Sequence, residues 1–495
     1  MARGSLLLVL LAAALLLTAV AWSRGAEYDE QYTLFLTGGT ARPAWPDGIV
    51  TAGAVQDLQA GHASASAIAR DLRATDVHPP LYFWAIAAWR RLLGDSLFTA
   101  RLASVLCSIA TLGSVAAIAR AAALPVLPAV LLTVGCYGFA YTGTIARGFA
   151  LAQMLSVTGI AVLLAGSTSA GVRHRGWGRS FAGGLLLGAA TGANYLAAFV
   201  ACAVLLHATI AVRPACRVLA IAAGFALWLP IDLWFFLAQR HSRTGQFAQF
   251  EALPALLRLA RYAAANLFGG LPLYMEGGVR VAIAVALVLL LAGLIVQIVR
   301  RWRHIATPDT RRLFAMAAVA PPIGLMLLGL AFDNAPIELR YLAFATPFVA
   351  LLLAGALTRP AMAMILAVQA VALWGLMTRP ETMQPARAAA AEAAALVQEG
   401  VVMLPRGNDG VGIVGAFAGE ASSSLRLLVI PPDIDAAAIR ARAAPSRRVV
   451  LVLLGQDETS RATLPVLQAA FTGPCWRVAG QGTHVLAVRR VCDAE

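Results

Sequence analysis

Residues 76 to 112 read DVHPPLYFWAIAAWRRLLGDSLFTARLASVLCSIATL. Pro79 and Pro80 set a helix start, since each fixes φ near the helical value and lacks a donor that the first turn leaves unbonded anyway. Tyr82, Trp84 and Trp89 suit the interfacial belt of a bilayer, so 80–93 is expected to lie along its surface with Arg90 and Arg91 near headgroups. Gly94 closes that segment, and an apolar run near 97–119 follows, long enough to cross. A surface segment feeding a spanning helix is a membrane-protein pattern.

The rest of the chain agrees. Of its 495 residues 60% are hydrophobic and 13% charged, against roughly 45–50% and 25% in soluble proteins. Mean hydropathy is +0.75, which excludes soluble-enzyme, disordered and collagen classes. Further apolar runs lie near 5–22, 124–142, 148–168, 181–193, 195–212, 217–236, 279–299, 313–331, 341–357 and 361–378, about eleven spans with 97–119. The net charge of +14 comes from arginine alone, because the sequence contains no lysine. With a cytoplasmic N-terminus, Arg120, Arg173, Arg175, Arg179, Arg213, Arg217, Arg300, Arg301, Arg303, Arg311, Arg312 and Arg359 fall in inner loops, as the positive-inside rule requires. Arginines between apolar runs read as topology, not as a nucleic-acid face. Residues 23–96 then form a first periplasmic loop, and everything beyond Thr378 is periplasmic. "SRGA" at 23–26 is a poor cleavage site, so the first run is expected to be retained as an anchor.

After 378 the composition shifts. Runs rich in β-formers at 411–416, 426–430 and 449–454 alternate with Ala-rich helical segments at 386–398, 434–443 and 462–471, which describes a small α/β domain over 379–495 behind a membrane domain over 1–378. Gly407, Gly410 and Gly412 do not make a nucleotide fingerprint. Cys107, Cys136, Cys202 and Cys216 sit in or beside apolar runs and read as packing residues. Cys475 and Cys492 flank CWRVAGQGTHVLAVRRVC, two strands around a Gly-rich turn, a placement able to join the sulfurs in an oxidising compartment.

Chemistry is sought next to the first span, where EYDEQYTLF places Glu27, Asp29 and Glu30. Acids at a helix N-terminus favour the dipole and need mean nothing more. A carboxylate near an apolar surface also makes a general base for an acceptor hydroxyl. His78 is a turn residue by the bland reading, and with neighbouring arginines a cation for a phosphate by the other.

The acidic pair, DVHPPLYFW, ARLASVL and ELRYLAFATPF at 338–348 together resemble the GT-C membrane glycosyltransferases, in particular the bacterial relatives of protein O-mannosyltransferases, lipid A aminoarabinose transferases and Rgt-type galacturonosyltransferases, over roughly 1–378. The resemblance implies transfer of a sugar from a polyprenyl-phosphate donor to lipopolysaccharide, lipid A, a glycan or a protein at the periplasmic face of the bacterial inner membrane. It implies Asp29 as the catalytic carboxylate, activating the acceptor hydroxyl, with Glu30 as companion, and Arg340, Arg147 and His78 for the donor phosphate, which an arginine fork fits well. Tyr32, Tyr82, Asn194, Tyr195 and Tyr341 would line the sugar pocket, although such groups often only cap helices or anchor at interfaces. In YTGTIARGFAL, Ile145 stands where relatives carry an acid, so a second carboxylate role there is lost or has moved. The stretch 238–279, with Arg240, His241, Arg243, Arg258, Arg261 and Tyr262, is expected to cover the site or meet anionic headgroups. A divalent metal is left open: two adjacent acids fall short of a six-oxygen site. The alternatives are a transporter or flippase of lipid-linked sugars and a non-catalytic envelope-assembly protein; charges gathered at span ends favour the transferase over transport.

Overall fold

The computed structural model describes residues 3–165, 173–211, 214–240, 249–380 and 385–492. Arg213, His241, Arg243 and the end of the 148–168 run lie outside the described residues. The chain divides into two compact units.

The first unit comprises Met1–Trp22, Leu72–Ala85 and Ala100–Thr378. Gly4–Ser23, Leu97–Ala121, Gly277–Arg300, Pro308–Phe332, Leu339–Ala356 and Arg359–Thr378 are each long and apolar enough to cross a membrane, and Ala215–Ala226 with Leu229–Gln239 makes one more if that pair, bent by 47°, is a single span. Among the described residues that is six or seven, where about eleven apolar runs were counted. The difference comes from breaks and short helices. The 124–142 run splits at Cys136 into Val126–Gly135 and Tyr137–Thr142. Pro230 opens the second half of the bent pair, where it lacks the N–H that would continue the first. Val126–Gly135, Phe149–Ala165 and Tyr195–Ile210 are apolar but shorter. The 181–193 run is the end of a helix, Arg173–Ala193, in which Gly184, Gly188 and Gly192 recur every four residues. A Cβ at Gly184 would overlap the carbonyl of Ile221 and one at Gly188 would lie 2.6 Å from that of Phe225, so this helix meets Ala215–Ala226 backbone to backbone. Small residues are what close packing in lipid selects.

The second unit comprises Ser23–Asp71, Ile86–Thr99 and Arg379–Glu495. The boundary after Thr378 is where the composition shifts, but 23–71 and 86–99, read from the sequence as part of the membrane domain, fold with the tail. Pairing explains it. A six-stranded sheet runs β1-β3-β2-β4-β6-β5, with β1 Val50–Thr51, β2 Val401–Pro405, β3 Arg426–Ile430, β4 Arg448–Val452, β5 Trp476–Gln481 and β6 Val485–Arg490. β2 pairs parallel with β3 and β4, while β4–β6 and β6–β5 are antiparallel. β1, from the first loop, closes one edge by pairing with β3, Val50 opposite Leu427. Val401, Met403, Leu428, Val449, Leu451 and Trp476 fill one face. The 411–416 run is not a strand. It begins the helix Gly412–Glu420, because Asp409 accepts from the amides of Val411 and Gly412 and caps its start. A short apolar run does not distinguish a buried helix from a strand. Cys475 and Cys492 are joined by a disulfide, Cα–Cα 4.9 Å, at the ends of the β5–β6 hairpin.

Candidate active site

Two groups of residues carry chemistry, one in each unit. In the second unit the helix Tyr28–Gly38, here the acidic helix, starts with a reciprocal cap: the Glu27 side chain accepts from the backbone of Glu30, and the Glu30 carboxylate accepts from the amide of Glu27 at 3.0 Å. Arg24, fully buried, pairs with Glu27 at 3.3 Å. Glu30, also fully buried, thus holds the helix start. Asp29 is only partly buried. Tyr32 is buried within the helix.

The far end of the acidic helix is held by Arg90, which is 1% exposed. Its guanidinium donates to the carbonyls of Leu34, Gln59 and Asp95 and to the Thr37 hydroxyl. Leu34 and Thr37 lie toward the end of the acidic helix and Gln59 near the end of the helix Ala52–Ala60, so this arginine ties the two together. The headgroup placement expected for Arg90 is therefore wrong: an amphipathic pattern puts one face against apolar matter without saying whether that matter is lipid or protein. Arg91 likewise donates to the carbonyl of Ala63 at 2.7 Å.

In the first unit the His-Pro-Pro turn brings His78 Nδ1 to 2.9 Å from Asp76 Oδ2. Arg147 places Nη2 at 3.0 Å from His78 Nε2. An arginine has only donors, so Nε2 accepts and the ring proton sits on Nδ1, facing the aspartate. The turn holding Arg147 is fixed by its neighbours: Ser104 donates to the carbonyl of Ile145 at 2.7 Å, and Ile145 is fully buried. Beside it, a Cβ on Gly148 would lie 3.3 Å from Tyr82. Gln239 spans the other side of the turn, its amide donating to the carbonyls of Leu72 and His78 at 3.0 Å each, while its oxygen accepts from the Tyr195 hydroxyl at 3.0 Å. Tyr82 and Tyr195 thus gather around His78 and Arg147. Tyr341 packs on Phe149, two residues beyond Arg147, with ring centroids 6.2 Å apart. Asn194 accepts from the amide of Leu196, a local turn bond and the bland role foreseen for it. Arg340 pairs with Glu338.

Asp76, Gln239 and Asp232 were not singled out from the sequence. Gln239 and Asp232 are seven residues apart on one face of an apolar helix, and Asp232 accepts from Thr191. Polar residues at a helical repeat inside an apolar run are the signal that marks them. Among the described residues no group of three or more His, Cys, Asp or Glu is placed to hold a metal ion.

No protein-family model matches the sequence, and no curated protein matches it. Solved structures do. ArnT from Cupriavidus metallidurans in the apo state aligns with a TM-score of 0.55 at 13% identity, over 99% of this chain and 98% of that one. ArnT from the same organism bound to undecaprenyl phosphate aligns with a TM-score of 0.53 at 11% identity, over the same shares. The likeness is one of fold, and the expected architecture, a helical part with long apolar helices and a small C-terminal α/β part, holds.

Proposed function

We propose that the chain is a membrane glycosyltransferase that moves a sugar from a polyprenyl-phosphate donor to an envelope acceptor, lipopolysaccharide, lipid A, a glycan or a protein, at the periplasmic face of the bacterial inner membrane. The observation that carries this reading is the Arg147–His78–Asp76 chain, a nearly buried guanidinium aimed by an imidazole that an aspartate orients. Such a cation suits a phosphate that gains charge as it leaves. The full-length likeness to ArnT, one structure of which holds undecaprenyl phosphate, supports a polyprenyl phosphate as the leaving group.

In the reaction an acceptor hydroxyl oxygen attacks the anomeric carbon, the bond from that carbon to the phosphate oxygen breaks, and the phosphate leaves with the electron pair. Asp29 takes the hydroxyl proton as general base. Glu30 holds the helix that carries Asp29. Arg147, oriented by His78, binds the departing phosphate, with Arg340 as a second cation. Tyr32, Tyr82, Tyr195 and Tyr341 contribute to the sugar pocket; Asn194 shapes the turn before Tyr195.

One observation favours the transport alternative: Asp232 is a buried carboxylate in a bent pair of apolar helices, the kind of feature transporters place within the bilayer. Mass spectrometry of a deletion strain separates the two. A transferase leaves lipid-linked sugar accumulated on the periplasmic side and its acceptor unmodified; a flippase leaves that sugar on the cytoplasmic side. A reporter fused after Glu495 that is active only in the cytoplasm overturns the assigned orientation.

A further inference from the structure

The acidic helix Tyr28–Gly38 is held by residues that lie far along the chain in the same unit. Tyr28 Oη is 2.6 Å from Asn408 Oδ1 and 3.0 Å from Asp457 Oδ2. Asp457 is itself fixed: Oδ2 accepts from the amide of Asn408 at 3.2 Å and Oδ1 from that of Ser460 at 2.7 Å, capping the helix Glu458–Ala469. Burial, with Asp409 and Asp457 close by, pushes the Tyr28 phenol far up, so it remains a hydrogen-bond donor throughout the working pH range.

The next helix face is built to admit the acidic helix. A Cβ on Gly412 would overlap the ring of Tyr28. One on Gly415 would come within 2.7 Å of Phe35 and 2.9 Å of Gln31 Oε1, which also accepts from Gln59 at 2.8 Å. Two glycines three residues apart let the helices approach at the face that bears Tyr28, Gln31 and Phe35. Before the acidic helix, the amide of Ala26 donates to Glu420 at 2.6 Å, and Arg387 joins Glu420 to the carbonyl of Ser23. Restraints therefore flank Asp29 on both sides, and they bear on the rotation of the helix about its axis.

We propose that Tyr28 is a positioning residue: clamped by Asp457 and seated on Gly412, it fixes the rotation of the acidic helix and so the direction of the Asp29 carboxylate. The C-terminal region is thereby part of the catalytic device and not an appended domain. This rests on Asp29 being the general base. Misplacing a catalytic group by an ångström costs up to about a hundredfold in rate.

The test compares wild type, Tyr28→Phe and Asp29→Asn as full-length proteins. Turnover is read in a deletion strain as the fraction of acceptor modified, and undecaprenyl phosphate binding and hydrogen exchange are read on purified protein in nanodiscs. Tyr28→Phe is expected to lower turnover about tenfold or more, to keep undecaprenyl phosphate affinity within about twofold, and to speed exchange of the amides of 29–38. Asp29→Asn is expected to abolish turnover with exchange as in wild type. Wild-type turnover in Tyr28→Phe, with Asp29→Asn inactive, overturns the positioning role and leaves the base intact. Full turnover in Asp29→Asn overturns the base, and the positioning role with it, whatever the exchange rates. Should Tyr28→Phe fail to accumulate, Asp457→Asn keeps the cap acceptor for Ser460 but turns an amide N–H toward Tyr28, and is expected to give the same loss of turnover; wild-type turnover there overturns the proposal.

Discussion

Arg147 donates from Nη2 to Nε2 of His78 across 3.0 Å, so the imidazole keeps its proton on Nδ1, toward Asp76. The aspartate orients the imidazole, and the imidazole in turn orients the Arg147 guanidinium, the one cation of the three. Arg147→Ala is expected to weaken undecaprenyl phosphate binding by roughly tenfold or more, the loss of a charge-assisted hydrogen bond being about 1.5–3 kcal/mol. Arg147→Lys is expected not to restore it, because a point charge does not replace the planar fork. Titration of both variants in nanodiscs checks this; wild-type affinity in Arg147→Ala removes its phosphate role.

Gln239 donates two hydrogen bonds to the backbone of the His-Pro-Pro region. Gln239→Leu leaves the carbonyls of Leu72 and His78 without it, at about 1 kcal/mol per bond. Gln239→Glu is expected to do as badly, since a carboxylate has no N–H to give. Both variants should show faster hydrogen exchange around 72–80 and weaker undecaprenyl phosphate binding. Unchanged exchange in Gln239→Leu contradicts the assignment.

Much of this was legible in the sequence, and the misses have physical causes. The run from Leu97 reads as a span and is a single helix long and apolar enough to cross, while the β-rich run 426–430 is β3 and 449–454 overlaps β4. Arg90 was misplaced because an amphipathic segment announces a buried face but not the partner it meets. Residues 411–416 were misread because Val411, Ile413 and Val414 favour a strand, while Asp409, two and three residues before, accepts from the amides of Val411 and Gly412 at the start of a helix, a local signal that was passed over. β2 was missed although Val401–Pro405 is apolar throughout, since a strand of a few residues buried on both faces has no alternation to show. For the candidate site, His78 and Arg147 were named from the sequence; Asp76, two residues before His78, was passed over, and Gln239 reaches the turn from far along the chain, which local spacing does not encode.

Asp409 yields a pH dependence. Burial holds its carboxyl above the usual carboxylate range in the folded protein, so the native state keeps a proton that the unfolded chain, near pKa 3.9, gives up more readily. The stability this contributes is complete below about pH 3.9 and is lost as pH rises through the native value. Asp409→Asn removes that term, so the melting temperature of the variant relative to wild type is expected to climb from pH 4 to pH 7. A difference that is flat or falls with pH contradicts the sign.

The disulfide between Cys475 and Cys492 closes a loop with a sequence separation of 17. Loop-closure entropy makes that worth about 3 kcal/mol. Paired replacement by serine is expected to lower the thermal midpoint of the second unit, and thiol-trapping mass spectrometry of protein from the envelope is expected to find neither thiol free. Two free thiols there contradict the pairing.

The most direct measurement compares wild type with Asp29→Asn in a deletion strain, profiling glycolipids, lipopolysaccharide and glycoproteins by mass spectrometry. The account predicts that wild type restores a sugar lost from one envelope acceptor and clears the accumulated polyprenyl-phosphate sugar, while Asp29→Asn, expressed to the same level, does neither. Restoration by Asp29→Asn as complete as that by wild type would contradict the catalytic role of Asp29.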